Sequence, residues 1–181
     1  MRASRSFPGL ALLLALTLTA CTAATPPRPV VVAPPGTKLP LPVRAVYEIA
    51  PTQREFNVSS RGPTTWKYPE GQLMRTAALS MMRDLFSEVV EAGPPPHNGI
   101  VFRLSGSSSI NPAVSRYHAN ALVEVFSRLE TGEQLIGRFE GAGDAQGRIF
   151  SEWPLQEAYA QAFSEVSRQI LANPEVMRRL R

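Results

Sequence analysis

The segment from Ser115 to Leu129 constrains the fold most, because its residues alternate without a break. Tyr117, Ala119, Ala121, Val123 and Val125 fall on one side. His118, Asn120, Leu122, Glu124, Phe126 and Arg128 fall on the other. Successive strand side chains point to opposite faces, so this period of two predicts a long strand with one buried face and one mixed face. Such a strand needs a sheet around it and an apolar layer on one side of that sheet.

The neighbouring segments supply both. Val43, Ala45, Tyr47 and Ile49 alternate with Arg44, Val46 and Glu48, which predicts a strand. Ile100, Phe102 and Leu104 predict a second, and Leu135, Gly137 and Phe139 a fourth after the turn Glu130-Thr131-Gly132-Glu133. Residues 70–92 repeat Leu73, Ala77, Met81, Leu85 and Val89 every four positions, which predicts one helix ended by Gly93 and three prolines. A second helix is expected from near Pro154, with Ser151 as its cap. Its stripe is Leu155, Tyr159, Ala162, Phe163, Val166 and Ile170. Residues 51–69, 106–112 and 141–147 read as loops or turns, being rich in Gly, Ser, Pro and Asn. The fold class is therefore α+β: a two-layer sandwich in the order β-α-β-β-β-α. Its sheet is expected to be four-stranded and mainly antiparallel, with two helices on one face.

The first 42 residues are of a different kind. Arg2 and Arg5 precede an apolar run, Leu10 to Leu18, and then come Thr19, Ala20 and Cys21. A basic start, a short apolar run and small residues make residues 1–20 a secretory signal peptide; the run is too short for a membrane span. Residues 22–42 hold seven prolines. They are expected to form a polyproline-type tether or an unstructured spacer, reaching roughly 50–60 Å if fully extended. The folded domain is then 43–181. Four of the 19 basic residues (Arg2, Arg5, Arg28, Lys38) lie before Val43, leaving 15 against 15 acidic residues in the domain. A neutral domain lacks the basic footprint of a nucleic-acid binder, so no nucleic-acid partner is expected.

Chemistry is sparse. The histidines, His97 and His118, are 21 residues apart, with no carboxylate at a diagnostic spacing, so no metal and no cofactor are expected. Gly106-Ser107-Ser108-Ser109-Ile110 lacks the second glycine of a nucleophile elbow. Gly141-Ala142-Gly143-Asp144-Ala145-Gln146-Gly147 has the wrong spacing for a dinucleotide loop and no Lys-Ser/Thr for a phosphate loop. No catalytic residue is assigned, and the chain reads as a non-enzyme. The mixed face of the sheet is the candidate for binding. Val101, Leu122, Phe126 and Ile136 form an apolar patch, with Arg103, Arg128 and Arg138 around it. The alternative is that residues 51–69, with Trp66 and Tyr68, fold over that face.

Leu18-Thr19-Ala20-Cys21 resembles the lipobox of bacterial lipoproteins, with Cys21 as the lipid attachment site. The alternative is an ordinary signal peptide with a chance cysteine. Cys21 is the only cysteine, so an intrachain disulfide is impossible. In that family the thiol is diacylglycerylated, the signal is cut before the cysteine and the new amine is acylated. Two or three acyl chains make attachment effectively permanent. Thr22 in place of aspartate implies the outer membrane, facing the periplasm. The whole layout resembles small envelope lipoproteins of the YajG-like, LptE-like and PqiC-like transport-auxiliary types. The resemblance implies a lipid-anchored accessory protein with an envelope protein partner, serving lipid transport or envelope assembly. The alternatives are an activator lipoprotein of peptidoglycan synthesis and a hydrolase with an unrecognised site. The oligomeric state is left open.

Overall fold

A computed structural model describes residues 25–49, 54–59, 63–92, 99–129 and 131–180. The signal segment, Leu18 to Cys21 and His97 lie outside the described residues. The fold is mixed α+β, with a five-stranded sheet, a separate two-stranded hairpin and three helices.

The elements, in chain order, are β1 (Leu41–Ile49), β2 (Arg54–Ser59), β3 (Pro63–Tyr68) and α1 (Glu70–Leu85). They continue with β4 (Phe86–Glu91), β5 (Gly99–Asn111), β6 (Arg116–Leu129) and β7 (Gly132–Gln146). α2 (Trp153–Ala172) and α3 (Pro174–Arg179) close the chain. The main sheet runs β4-β1-β5-β6-β7. β1 is parallel to both β4 and β5, whereas β5, β6 and β7 form an antiparallel meander.

The expected four-stranded, mainly antiparallel sheet is thus corrected to a five-stranded mixed one. The added strand is β4, which the helical reading of residues 70–92 had absorbed. Val89 fits the four-step stripe of α1, yet the helix stops at Leu85. Phe86 is extended, and its N–H closes the last turn on the Met82 carbonyl. Its ring then meets Phe102 of β5 on the core side, centroids 4.9 Å apart. That contact reaches across β1, which lies between β4 and β5 in the sheet. Residues 51–69 are not a plain loop, since β2 and β3 pair there as an antiparallel hairpin. The expected two helices become three, with Asn173 capping α3 by accepting from the Glu175 and Val176 N–H groups.

Two further corrections share one cause. Residues 106–112 were expected to turn, but β5 continues to Asn111, paired throughout with β6. Residues 141–147 were expected to be a connector, but β7 continues to Gln146. On the core side both segments carry small residues, Gly106 and Ser108 in β5 and Gly141 and Gly143 in β7, where helices lie directly on them. A Cβ on Gly141 would stand 2.1 Å from the Ala162 carbonyl oxygen of α2. Small residues weaken a strand locally; here close helix packing overrides that preference.

The two long helices cover one face. The stripes expected from the sequence are buried: Leu73, Ala77, Met81 and Leu85 of α1, and Leu155, Tyr159, Ala162, Phe163, Val166 and Ile170 of α2. They meet Tyr117, Ala119, Ala121, Val123 and Val125, all buried, from β6. Ser151 accepts from the Trp153 N–H at 3.3 Å, while Glu152 holds the N-cap position without a side-chain cap bond.

The proline-rich segment is part of this layer from Pro29 onward. Pro29 is buried. The Val30 N–H donates to the Ser164 hydroxyl of α2 at 2.7 Å, and Val31 and Leu39 pack against the core. Thr37 and Lys38 line a groove with Met177 and Leu180, which are at or just beyond α3. β1 begins at Leu41, two residues before the expected boundary.

Candidate interaction surface

The sheet face opposite the helices carries the residues singled out above. β5 contributes Val101 and Arg103, β6 contributes Leu122, Phe126 and Arg128, and β7 contributes Arg138. The registers Val101↔Phe126, Arg103↔Glu124 and Glu124↔Arg138 bring them side by side. Ile136 is the exception. The register shifts between Val125 and Phe126, so Phe126 faces Leu135, and Ile136 packs against the core instead. A bulge moves one residue out of the alternation, and Leu135 takes its place on the open face.

The arginines are bound into a network. Arg103 reaches Glu48 of β1 at 3.1 Å and Glu133 of β7 at 3.3 Å. Arg128 reaches Glu48 at 3.2 Å and also pairs with Glu133. Two carboxylates and two guanidinium groups therefore tie β1, β5, β6 and β7 together across the open face. Hydrogen bonding from Arg128 holds the Glu133 carboxyl below its ordinary range, against the opposing effect of desolvation. Arg103 and Arg128 are in turn held above the ordinary arginine value by Glu48 and Glu133, though desolvation works against this. The Arg103 guanidinium sits 4.4 Å from the Phe126 ring centroid, a cation–π contact. Val101 is 2% exposed although it belongs to the open face. Arg138 pairs with Glu124 at 3.8 Å and Glu140 at 2.9 Å.

Further along the same face, His118 Nδ1 lies 3.2 Å from Asp144, and Arg116 lies 3.1 Å from it. His118 leads the causes that hold the Asp144 carboxyl below its usual range; desolvation opposes, and Arg116 adds. Ser105, Ser107, Asn120, Leu122 and Glu140 line a shallow groove of about 400 Å³ between these two groups. Among the described residues no group of three metal-ligating side chains occurs.

Sequence reasoning missed Glu48 and Glu133, because their role depends on which strands are neighbours. Glu48 alternates with Ala45 and Tyr47 onto the open face, whereas Glu133 reaches it only through the register shift in β7. Trp66 and Tyr68 do not approach this face in their described contacts. The Trp66 ring packs on Phe150 at 4.9 Å, and the Tyr68 ring on Tyr117 at 6.2 Å.

A second polar cluster is interior. Glu70, fully buried at the start of α1, accepts from Ser108 of β5 at 2.7 Å and from the Tyr159 hydroxyl of α2 at 3.0 Å. It joins α1, β5 and α2 at one point and accounts for the serine in β5.

No family model matches the chain, and no curated protein matches it. Several solved structures resemble it, among them the following three. A Xanthomonas campestris protein of the DUF330 family shares 10% identity at a TM-score of 0.42, over 81% of this chain and 92% of that one. A lipoprotein candidate from Caulobacter crescentus shares 12% identity at 0.35, over 70% and 85%. A Chlamydia trachomatis protein shares 10% at 0.39, over 72% and 96%. Likenesses this distant assign no role to any residue.

Proposed function

We propose that the chain is a lipid-anchored accessory protein of the bacterial envelope. Cys21 carries the acyl groups that hold it to the periplasmic side of the outer membrane. The open sheet face binds a partner protein of a lipid-transport or envelope-assembly system. One observation carries the binding part: the half-buried Phe126 lies on the open face with Arg103 held over it by Glu48 and Glu133. Aromatic and arginine side chains dominate protein interfaces, and a pre-ordered arginine loses little freedom on binding. Anchoring raises the local concentration of such a modest-affinity face near its partner.

The packed proline segment weighs against a wall-crossing activator. Eight residue steps lead from Cys21 to the buried Pro29. They reach at most about 29 Å, half of what a fully free tether would span.

Three measurements test the reading. Palmitate incorporation should disappear in Cys21→Ser. A photo-crosslinker at position 126 in cells should capture a defined envelope protein that the same probe at Gln161, on α2, does not. Phe126→Asp should abolish binding of that protein while thermal unfolding stays cooperative. Capture from both positions, or unchanged binding by Phe126→Asp, would exclude this face as the binding site.

A further inference from the structure

One end of the molecule gathers exposed apolar side chains from three separate elements. Trp66 (36% exposed) comes from β3, Phe150 (43%) and Trp153 (39%) from the β7–α2 connection and the start of α2, and Val114 (57%) from the β5–β6 turn. The geometry that brings them together is built. The Phe150 ring packs on Trp66 at 4.9 Å. The Phe150 N–H donates to the Tyr68 hydroxyl at 3.2 Å, and the Tyr117 hydroxyl donates to the Arg148 carbonyl at 2.9 Å. The Gly147 N–H donates to the Ser115 carbonyl at 3.2 Å, which joins the Val114 turn to the same loop.

Phe150 itself has φ +75°. A bulky side chain in the left-handed region is costly and persists only where its surroundings force it. Phe150 stays 43% exposed in this conformation, with its ring packed against Trp66. The fold spends strain to display a phenyl group.

The occupant follows from what surrounds this tip. Tryptophan and phenylalanine with neighbouring cations suit the headgroup region of a phospholipid bilayer, where rings insert and cations meet phosphates. Lys67 and Arg148, both exposed, adjoin Trp66 and the Phe150 loop; the acidic residues nearby include Glu55, the register partner of Lys67, and Glu152. The proline-rich strap passes from Met177 and Leu180 to Ser164, backwards along α2, which is the direction of Trp153. Trp153 lies eleven residues before Ser164, about 16 Å along the helix. The nine residue steps from Cys21 to Val30 span up to about 32 Å.

We propose that Val114, Phe150, Trp153 and Trp66 form a second membrane contact, dipping into the bilayer that holds Cys21. It orients the domain end-on and leaves the open sheet face free at the side. The choice of a bilayer rests on the anchored reading above; the tip itself is read separately.

Trp66 and Trp153 are the two tryptophans of the chain, so they are intrinsic probes. The chain, purified from membranes, is reconstituted in vesicles of phosphatidylethanolamine and phosphatidylglycerol carrying acyl bromines near the headgroups. Tryptophan emission should shift to the blue and be quenched by the brominated lipid. Phe150→Asp, whose aspartate tolerates the left-handed backbone, should lose both effects, as should Val114→Asp in the exposed turn. Leu135→Asp on the open face should keep them. Unquenched tryptophans in the parent chain, or quenching indifferent to Phe150→Asp and Val114→Asp, overturn the proposal, as does crosslinking of the tip to a protein without quenching. Intact mass reports Cys21 acylation independently. A chain lacking acyl groups that is still quenched keeps the tip and overturns the anchor, and an acylated chain without quenching does the reverse.

Discussion

The carbonyl oxygen of Ala158 in α2 lies 2.0 Å from where a Cβ on Gly143 of β7 would stand. Helix backbone and strand backbone are in direct contact there, so the space is set by main-chain atoms that cannot rotate away. Gly143→Ala is expected to lose about 2–3 kcal/mol as α2 is pushed off the sheet. For a domain of this size that lowers the unfolding midpoint by about 5–10 °C. Ala142→Ser, at an exposed neighbouring position, should leave it unchanged. Calorimetry of both variants checks this, and equal midpoints would mean that the helix does not sit where it is placed.

The proline-rich segment should behave as part of the domain. Val31 and Leu39 pack on the core, and Lys38 between them is a trypsin site followed by Leu39. Cleavage there requires local opening, so its rate follows the population of the opened strap. Val31→Asp places a charge against the apolar layer. An expected cost near 1.4 kcal/mol makes opening about tenfold more frequent. Timed digestion read by mass spectrometry should show faster cutting after Lys38, with the rest of the domain intact. Equal rates in the two chains would mean that the segment is an unattached tether.

Much of this architecture was readable because residues with large side chains declare their own environment. The alternation from Tyr117 to Arg128 and the stripes of α1 and α2 place the buried face directly. The same alternation put Arg103, Leu122, Phe126, Arg128 and Arg138 on one surface. What escaped was decided by distant neighbours. The serines of β5 and glycines of β7 look like turns until the helices above them are known. Val89 continues a helical stripe that the Phe86–Phe102 contact ends three residues earlier. Ile136 leaves the open face because one extra residue at the bulge reverses the alternation. The Phe150 tip depends on Tyr68 and Tyr117, far away in sequence, and no local pattern announces it.

Tyr117 gives a pH signature to that tip. Burial pushes its phenol well above the ordinary tyrosine range, and the Tyr68 hydroxyl 3.3 Å away adds to the shift. The neutral form also donates to the Arg148 carbonyl, a bond that the phenolate cannot make. A folded-state value raised above the unfolded one, about 10, favours the folded state fully below pH 10. That contribution is lost as pH rises from 10 toward the folded value. Tyr117→Phe removes the donated bond and should cost about 0.5–1.5 kcal/mol at neutral pH. The variant has no phenol to ionise at this position, so its stability should fall less steeply above pH 10, and the two curves should converge. Urea midpoints from pH 7 upward test this, together with phenolate absorbance of the parent minus the variant. Ionisation of Tyr117 near its ordinary value in the folded chain would show that the tip is open to water and that Tyr117 does not hold the Phe150 loop in place.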